Sequence, residues 1–330
     1  MRYPVDSCRF LPGIRPVRSG KVRKTNMELK GPNVKRYLKK FIVEPGSNVR
    51  LKNYDAGWVR HESFRDVSDG EVKDDLKVRL ERDRAALYEI QNIFAAAHQH
   101  GLLIILQGMD TAGKDGTIRH VMSGVNPQGC EVHSFKVPGP EDHLHDFLWR
   151  YGKVLPGRGM IGIFNRSYYE DVLVVRVHPE RMEELPGAIG PASGGFWDGR
   201  SKDINAFEKH LVRNGTVVLK FFLHISKDEQ KRRLLNRLDH EEKYWKFSVS
   251  DITERQYWDR YIDVYEEMLG ATSTKYAPWF IVPADYKWMT RTFVADAIIS
   301  AMRGLRLSYP KIPDEQMRHL MEARKELEKE

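Results

Sequence analysis

Leu102-Leu103-Ile104-Ile105-Leu106-Gln107-Gly108-Met109-Asp110-Thr111-Ala112-Gly113-Lys114 decides the fold: an uninterrupted apolar run passes directly into a glycine-rich loop that ends in lysine. A continuous apolar strand belongs in a parallel sheet covered on both faces. The glycines at 108 and 113 with Lys114 have the spacing of a P-loop, in which successive backbone N–H groups converge on phosphate oxygens and a helix amino terminus adds its dipole. An ordinary glycine-rich strand-to-helix turn shares the glycines but not the lysine at this spacing. The usual pattern places Ser or Thr after the lysine to hold magnesium, whereas Asp115 and Gly116 stand here. Asp110 is then the candidate metal ligand, because a carboxylate inside a phosphate loop repels its ligand unless a cation lies between them.

Outward from the loop, strands and helices alternate. Leu76, Leu80, Leu87, Ile90 and Phe94 keep one apolar face and predict a helix from Val72 to His98. A helix from Gly116 to Met122 follows the loop and breaks at Val125-Asn126-Pro127-Gln128-Gly129. Then come strand Cys130 to Phe135, a helix around Asp142 to Tyr151, strand Met160 to Phe164, helix Tyr169 to Val175, and a Gly/Pro-rich loop from Pro186 to Gly199. The remainder reads as helix Lys202 to Asn214, strand Thr216 to Ile225, helices Lys227 to Leu238 and Ile252 to Leu269, strand Trp279 to Pro283 and helix Trp288 to Arg303. Five strands separated by helices predict an α/β fold, a five-stranded parallel sheet with helices on both faces. The expected divisions are a basic leader at 1–30, an N-terminal extension with the long helix at 31–100, the phosphotransferase core at 101–306 and a charged helix at 307–330. Met317, Leu320, Met321 and Leu327 form a stripe on that last helix, suited either to a partner chain or to the chain's own domain.

The chain has 330 residues and a net charge of +8, and residues 1–60 hold 15 Lys/Arg against 4 Asp/Glu. A basic arm of this kind binds polyanions; its proline content and lack of apolar periodicity also fit a solvated, disordered leader over residues 1–26, and Met27 offers an alternative start. Two cysteines, Cys8 and Cys130, cannot make a disulfide framework, which points to a reducing cytoplasm. Cys130 reads as a core thiol at the start of a buried strand. No apolar run reaches the length of a membrane span. His98 with His100, and His143 with His145, diverge on a helix, so zinc is not expected.

Two further stretches carry chemistry. The third strand ends in Phe164-Asn165-Arg166-Ser167-Tyr168-Tyr169-Glu170; Asn165 stands where many P-loop proteins carry a magnesium-holding aspartate, and Arg166 is placed to neutralise a transferring phosphoryl group. Arg233 and Arg237, four apart after the fourth strand, are expected to face outward together with Leu234, Leu235 and Leu238 turned to the core. That run reads either as a solvated helix or as a helical lid, near 227–251, closing on phosphate as in nucleoside monophosphate kinases.

Gln107 to Gly116, Ser123 to Gly129, Phe164 to Val172, Lys220 to Lys227 and Trp279 to Trp288, in this order, resemble the polyphosphate kinase 2 family over roughly residues 30 to 305. The resemblance implies a P-loop kinase-like fold and a magnesium-dependent enzyme, with manganese as substitute, that moves the terminal phosphoryl group of inorganic polyphosphate to a nucleotide. The Asn165 to Asp171 variant is most similar to the family's class III, which implies AMP and ADP as acceptors and ATP as product. By the same resemblance Asp110, Lys114 and Arg166 are catalytic, with Asp110 orienting the metal. Gly108, Ala112, Gly113, Lys114, Asp115, Gly116, Arg119 and Lys136 would hold phosphate or the polymer. Asn165, Glu170, Arg232, Arg233 and Arg237 would serve the nucleotide and the lid. A homo-oligomer is expected, without a nucleic-acid or membrane partner. Competing readings are an ATP-dependent nucleoside monophosphate kinase of thymidylate-kinase type and a P-loop switch or nucleic-acid-binding protein, though no aromatic stacking platform supports the latter.

Overall fold

The computed structural model describes residues 36–59, 68–184 and 194–330. The leader at 1–26 and most of the predicted Gly/Pro loop lie outside these residues. Along the chain the elements are α1 (Asp69–Ala97), β1 (Gly101–Gln107), α2 (Lys114–Val121), β2 (Cys130–Ser134), α3 (Trp149–Gly152), β3 (Ile161–Asn165), α4 (Glu170–Val177) and α5 (Gly194–Arg213), then β4 (Thr216–His224), α6 (Lys227–Leu238), α7 (Val249–Gln256), α8 (Trp258–Thr272), β5 (Trp279–Pro283), α9 (Lys287–Gly304) and α10 (Asp314–Leu327).

The sheet is parallel, in the order β2-β3-β1-β4-β5. Every residue of β1 is buried, as a central strand with helices on both sides requires. The chain leaves β1 in one direction to reach β2 and returns across it to reach β4. Right-handed crossovers then place α1, α2 and α9 on one face and α4, α5 and α8 on the other, and these are the helices that pack together. Because the order reverses beside β1, the carboxyl ends of β1, β3, β4 and β5 open onto one crevice. The segment before α1 joins the same core: Ile42 bridges Phe280 of β5, the Val43 N–H donates to the Trp279 carbonyl at 2.9 Å, and Leu38, Val43 and Leu51 are fully buried.

Several elements differ from expectation for local reasons. α1 starts three residues early because Ser68 and Glu71 form a reciprocal capping box. β2 is an edge strand with Glu131, Val132 and Ser134 exposed, so Cys130 is half-buried and not a core thiol; burial still pushes its pKa up to about 11. The helix expected around Asp142 to Tyr151 is a single 3-10 turn, Asp142–Leu144, followed by the one-turn α3. α5 begins at Gly194, inside the predicted loop. The helix expected from Ile252 to Leu269 breaks at Tyr257 into α7, which has its own Ser248 and Asp251 capping box, and α8. In α10 the stripe of Met317, Leu320, Met321 and Leu327 is exposed. No described helix is long and apolar enough to cross a membrane.

A charged cluster lies inside the sheet–helix core. The Lys220 ammonium of β4 donates to Glu208 Oε2 at 2.6 Å, to the Tyr169 hydroxyl at 3.0 Å and to the Thr272 carbonyl at 2.8 Å, which uses all three of its protons. Glu208 Oε1 in turn accepts from Tyr168 at 2.9 Å and Tyr169 at 2.7 Å. Both charges are fully buried and fully bonded. Tyr168 and Tyr169 directly follow Arg166-Ser167, so the cluster clamps the turn that presents Arg166. Glu208→Ala, which strands the lysine charge, is expected to cost about 3–5 kcal/mol, while Glu208→Leu with Lys220→Met is expected to recover most of that loss. Chemical denaturation of the three proteins checks this, and equal destabilisation by the single and the double change would refute it.

Candidate active site

Close approach and unusual backbone angles build the phosphate loop. At Gly108 (φ +152°) a Cβ would stand 2.7 Å from the Leu223 carbonyl of β4, so only glycine lets β1 turn beside its neighbour. Thr111 holds φ +64°, and Gly113, at φ +105°, precedes the first residue of α2. The helix therefore begins at Lys114, two residues ahead of expectation, and its free N–H groups face the loop. Lys114 folds back to donate to the loop's carbonyls of Gly108 (2.7 Å) and Met109 (3.3 Å). Burial and the nearby Arg166 cation pull its pKa below the ordinary lysine value, against the opposing pull of Asp110, Glu170 and Asp115.

Arg166 meets that loop from β3. Its backbone sits at φ +64°, in the left-handed region that costs a non-glycine residue energy, and its N–H donates to the Leu106 carbonyl of β1 at 3.1 Å. Its guanidinium donates to Asp110 Oδ1 at 3.1 Å and lies 4.0 Å from Glu170 Oε2; Glu170, then Asp110, hold its pKa above the ordinary arginine value. Asn165 donates to Asp115 Oδ1 at 2.5 Å and to Ser134 Oγ at 3.3 Å. Its Oδ1 and Thr111 Oγ1 are buried without a partner. Asp171, one residue beyond Glu170, is unsuited to a metal: it is buried, accepts from Tyr151 at 2.9 Å, and burial raises its pKa to about 6.

α6 corrects the expected orientation of its arginines. Arg233 is buried, not outward, and acts as a clamp. It donates to the loop carbonyls of Thr111 (2.8 Å) and Ala112 (3.1 Å), to the carbonyls of Ala284 (2.6 Å) and Asp285 (3.0 Å) after β5, and to Glu229 (2.7 Å). Leu235 and Leu238, expected in the core, are exposed. The helix is rotated because four carbonyl acceptors for one guanidinium lie on the sheet side, the fifth partner, Glu229, being on α6 itself. Arg232 is exposed and paired with Glu229, away from the crevice. Arg237 does reach the crevice, bonded to the Lys246 carbonyl at 2.8 Å and to Asp251 at 3.1 Å. Gln230 donates to the Asp110 carbonyl at 3.1 Å and accepts from Arg255 at 2.7 Å.

Two cavities meet at this point. The larger, about 890 Å³, is lined by ten Lys/Arg and three Asp. Lys114, Arg119, Lys136, Arg166, Arg233 and Arg237 were expected from the sequence; Lys243, Lys246, Lys287 and Arg291 were not. The signal for the last two was present, since Lys287 and Arg291 are four apart on the first turns of the helix after β5. Crowding has a cost: burial first, and then neighbouring arginines, lower the pKa of both Lys287 and Arg291. The smaller cavity, about 310 Å³, is lined by Glu170, Leu173, Val174 and Arg181 on one side and by Glu254, Arg255, Tyr261 and Tyr265 on the other. Reading α7 and α8 as one helix hid this second group. Asp110, Arg166 and Asp251 line both cavities.

Among the described residues no three His, Cys, Asp or Glu gather to hold a metal. Asp110, whose side chain is 41% exposed, with the unpartnered Thr111 Oγ1 and Asn165 Oδ1, instead suits a magnesium ion that arrives on phosphate, because magnesium takes one or two protein carboxylates and completes its shell with phosphate and water.

Residues 71–308 match the polyphosphate kinase 2 (PPK2) family profile. An ADP-polyphosphate phosphotransferase of Rhodopseudomonas palustris is 49% identical over 253 residues, 76% of this chain and 86% of the relative. An AMP/ADP-polyphosphate phosphotransferase of Meiothermus ruber is 41% identical over 274 residues, 83% of this chain and 96% of the relative. The crystal structure of polyphosphate kinase 2 from Arthrobacter aurescens TC1 superposes with a TM-score of 0.75 at 40% identity, covering 88% of this chain and 98% of that one. By motif, architecture and sequence, the chain belongs to the polyphosphate kinase 2 family.

Proposed function

We propose that this protein transfers the terminal phosphoryl group of inorganic polyphosphate to AMP and to ADP, forming ADP and ATP. The observation that carries the reading is the Asp110–Arg166 pair, which stands between a large cation-lined cavity and a small mixed one and lines both. A polymer with a charge on every phosphate suits ten cations against three carboxylates. A nucleoside suits the aromatic and apolar surface of the smaller cavity, with its phosphate end at Arg166. The names of the Rhodopseudomonas and Meiothermus relatives support polyphosphate as donor, and the Meiothermus name supports both acceptors. An ATP-dependent monophosphate kinase would not need a cation-lined cavity of this extent.

Phosphoryl transfer through a loose transition state asks for position and charge neutralisation more than for covalent help. Lys114 and the amino terminus of α2 hold the donor end. Arg166 neutralises charge on the group in flight and exchanges its pairing with Asp110 for the phosphate. The acceptor is a phosphate oxygen already ionised at neutral pH, so no protein base takes a proton. Magnesium, held by Asp110 with Thr111 and Asn165 nearby, supplies further neutralisation of the phosphate charge when bound.

ADP with polyphosphate and no added ATP should yield ATP, and AMP should yield ADP; activity with only one acceptor over a wide concentration range would remove the class III part of the reading. Lys114→Ala is expected to lower kcat by about two orders of magnitude or more with the fold intact, and Asp110→Asn to do likewise without rescue by excess magnesium. Near-normal turnover of Asp110→Asn would move the metal elsewhere, Glu170 being next. Arg233→Lys keeps the charge but cannot reach both loop and β5 carbonyls, and displacement of the loop by about 1 Å should lower kcat/KM on the order of 10²-fold. Unchanged kcat/KM in steady-state assays would show that the clamp is dispensable.

A further inference from the structure

His178 caps the carboxyl end of α4, and its side chain is only 8% exposed. Its Nε2 lies 2.9 Å from Glu254 Oε2 and its Nδ1 3.1 Å from Glu180 Oε1, while the ring packs edge-on to Tyr257 and Tyr261 at centroid distances of 4.7 and 6.2 Å. Tyr261 donates to the same Glu254 Oε2 at 2.7 Å. Both anchors therefore hold one oxygen of Glu254. The other, Oε1, accepts no hydrogen bond from the described residues, and Glu254 lines the smaller cavity with 32% of its side chain exposed.

We infer that His178 is a positioning residue for nucleoside recognition: with Tyr261 it fixes Glu254 so that Oε1 accepts a hydrogen bond from a neutral donor of the acceptor nucleoside, a ribose hydroxyl or a base amine. This rests on the assignment of the smaller cavity to the acceptor. A carboxylate repels phosphate, so Glu254 belongs at the nucleoside end, away from the phosphates that Arg166 attracts. It also needs its anchors. A carboxylate that opens onto the cavity would otherwise spend its acceptors on water, and a preset acceptor rejects ligands that lack the matching donor. The Leu173 and Val174 side chains and the Tyr265 ring supply apolar surface in the same cavity.

The test is calorimetric binding of ADP and, separately, of polyphosphate to the full chain, without turnover. His178→Ala should weaken ADP binding about tenfold, the magnitude expected for a loosened hydrogen bond to a charged group, and leave polyphosphate binding unchanged. His178→Gln, whose amide can still donate to Glu254, should restore most of the loss. Tyr261→Phe removes the second anchor and should weaken ADP binding selectively even if the alanine variant does not fold. Among analogues, 2′,3′-dideoxy-ADP reports on the ribose hydroxyls and inosine diphosphate on the base amine; one of them should bind the wild type more weakly than ADP, and Glu254→Ala should erase that difference. Parallel loss of ADP and polyphosphate affinity would reduce His178 to a structural tie, and full ADP affinity in the His178 and Tyr261 variants, or equal binding of ADP and both analogues to the wild type, would overturn the inference. A wild type that binds ADP with these dependences yet makes no ATP from polyphosphate would refute the proposed reaction and leave the inference standing.

Discussion

A phosphate loop is a ring of backbone N–H groups held open around a space that only the ligand fills, so its shape must be secured from outside. Arg233 does this here. One buried guanidinium ties the Thr111 and Ala112 carbonyls to those of Ala284 and Asp285, joining the loop after β1 to the turn after β5. Five hydrogen bonds to a single planar cation resist both sliding and rotation, which an ammonium at the same place could not do. α6 is thereby fixed as part of the loop's support, with Arg237 near its carboxyl end and Lys243 and Lys246 after it lining the larger cavity.

The same economy appears on the other side of the crevice. Arg166 reaches the loop from a strained backbone position, and the turn that carries it is held by Tyr168 and Tyr169, which are in turn held by the buried Lys220–Glu208 pair. Strain at a functional residue persists only where the surroundings over-determine it. Buried charge far from the ligand thus has a role in placing exposed charge near it.

The cavity itself is electrostatically unfinished. Lys114, Lys287 and Arg291 all have their pKa lowered, with burial the first cause and neighbouring cations the next. Groups arranged in this way repel one another, and an anion entering among them would offset that repulsion. The smaller cavity, lined by Asp110, Glu170, Asp251 and Glu254 against Arg166, Arg181 and Arg255, is nearly balanced in charge and suits a ligand charged at one end only.

Much of this was legible in the residues. The strand-loop-lysine run, the five apolar strands and the Asn165-Arg166 edge are local signals, because strand burial, glycine spacing and helix capping act over a few residues, and they determined the fold class and the phosphate loop and marked Asp110, Lys114 and Arg166 as the proposed chemical centre. The tertiary structure decided what depends on distant partners. Arg233 and Arg237 look equivalent on a helical wheel; only the acceptors offered by residues 111–112 and 284–285 turn one inward and leave the other on the crevice. Glu254 and His178 lie far from the loop in sequence and carry no periodic mark of their roles, and Lys287 and Arg291, though four apart on one helix, carry nothing in that spacing that says they meet the loop. Their convergence follows from strand order, which brings the carboxyl ends of β1, β3, β4 and β5 to one edge, and from the break at Tyr257, which turns α7 toward α4. Periodicity reports which face of an element is buried; it does not report what the element is buried against.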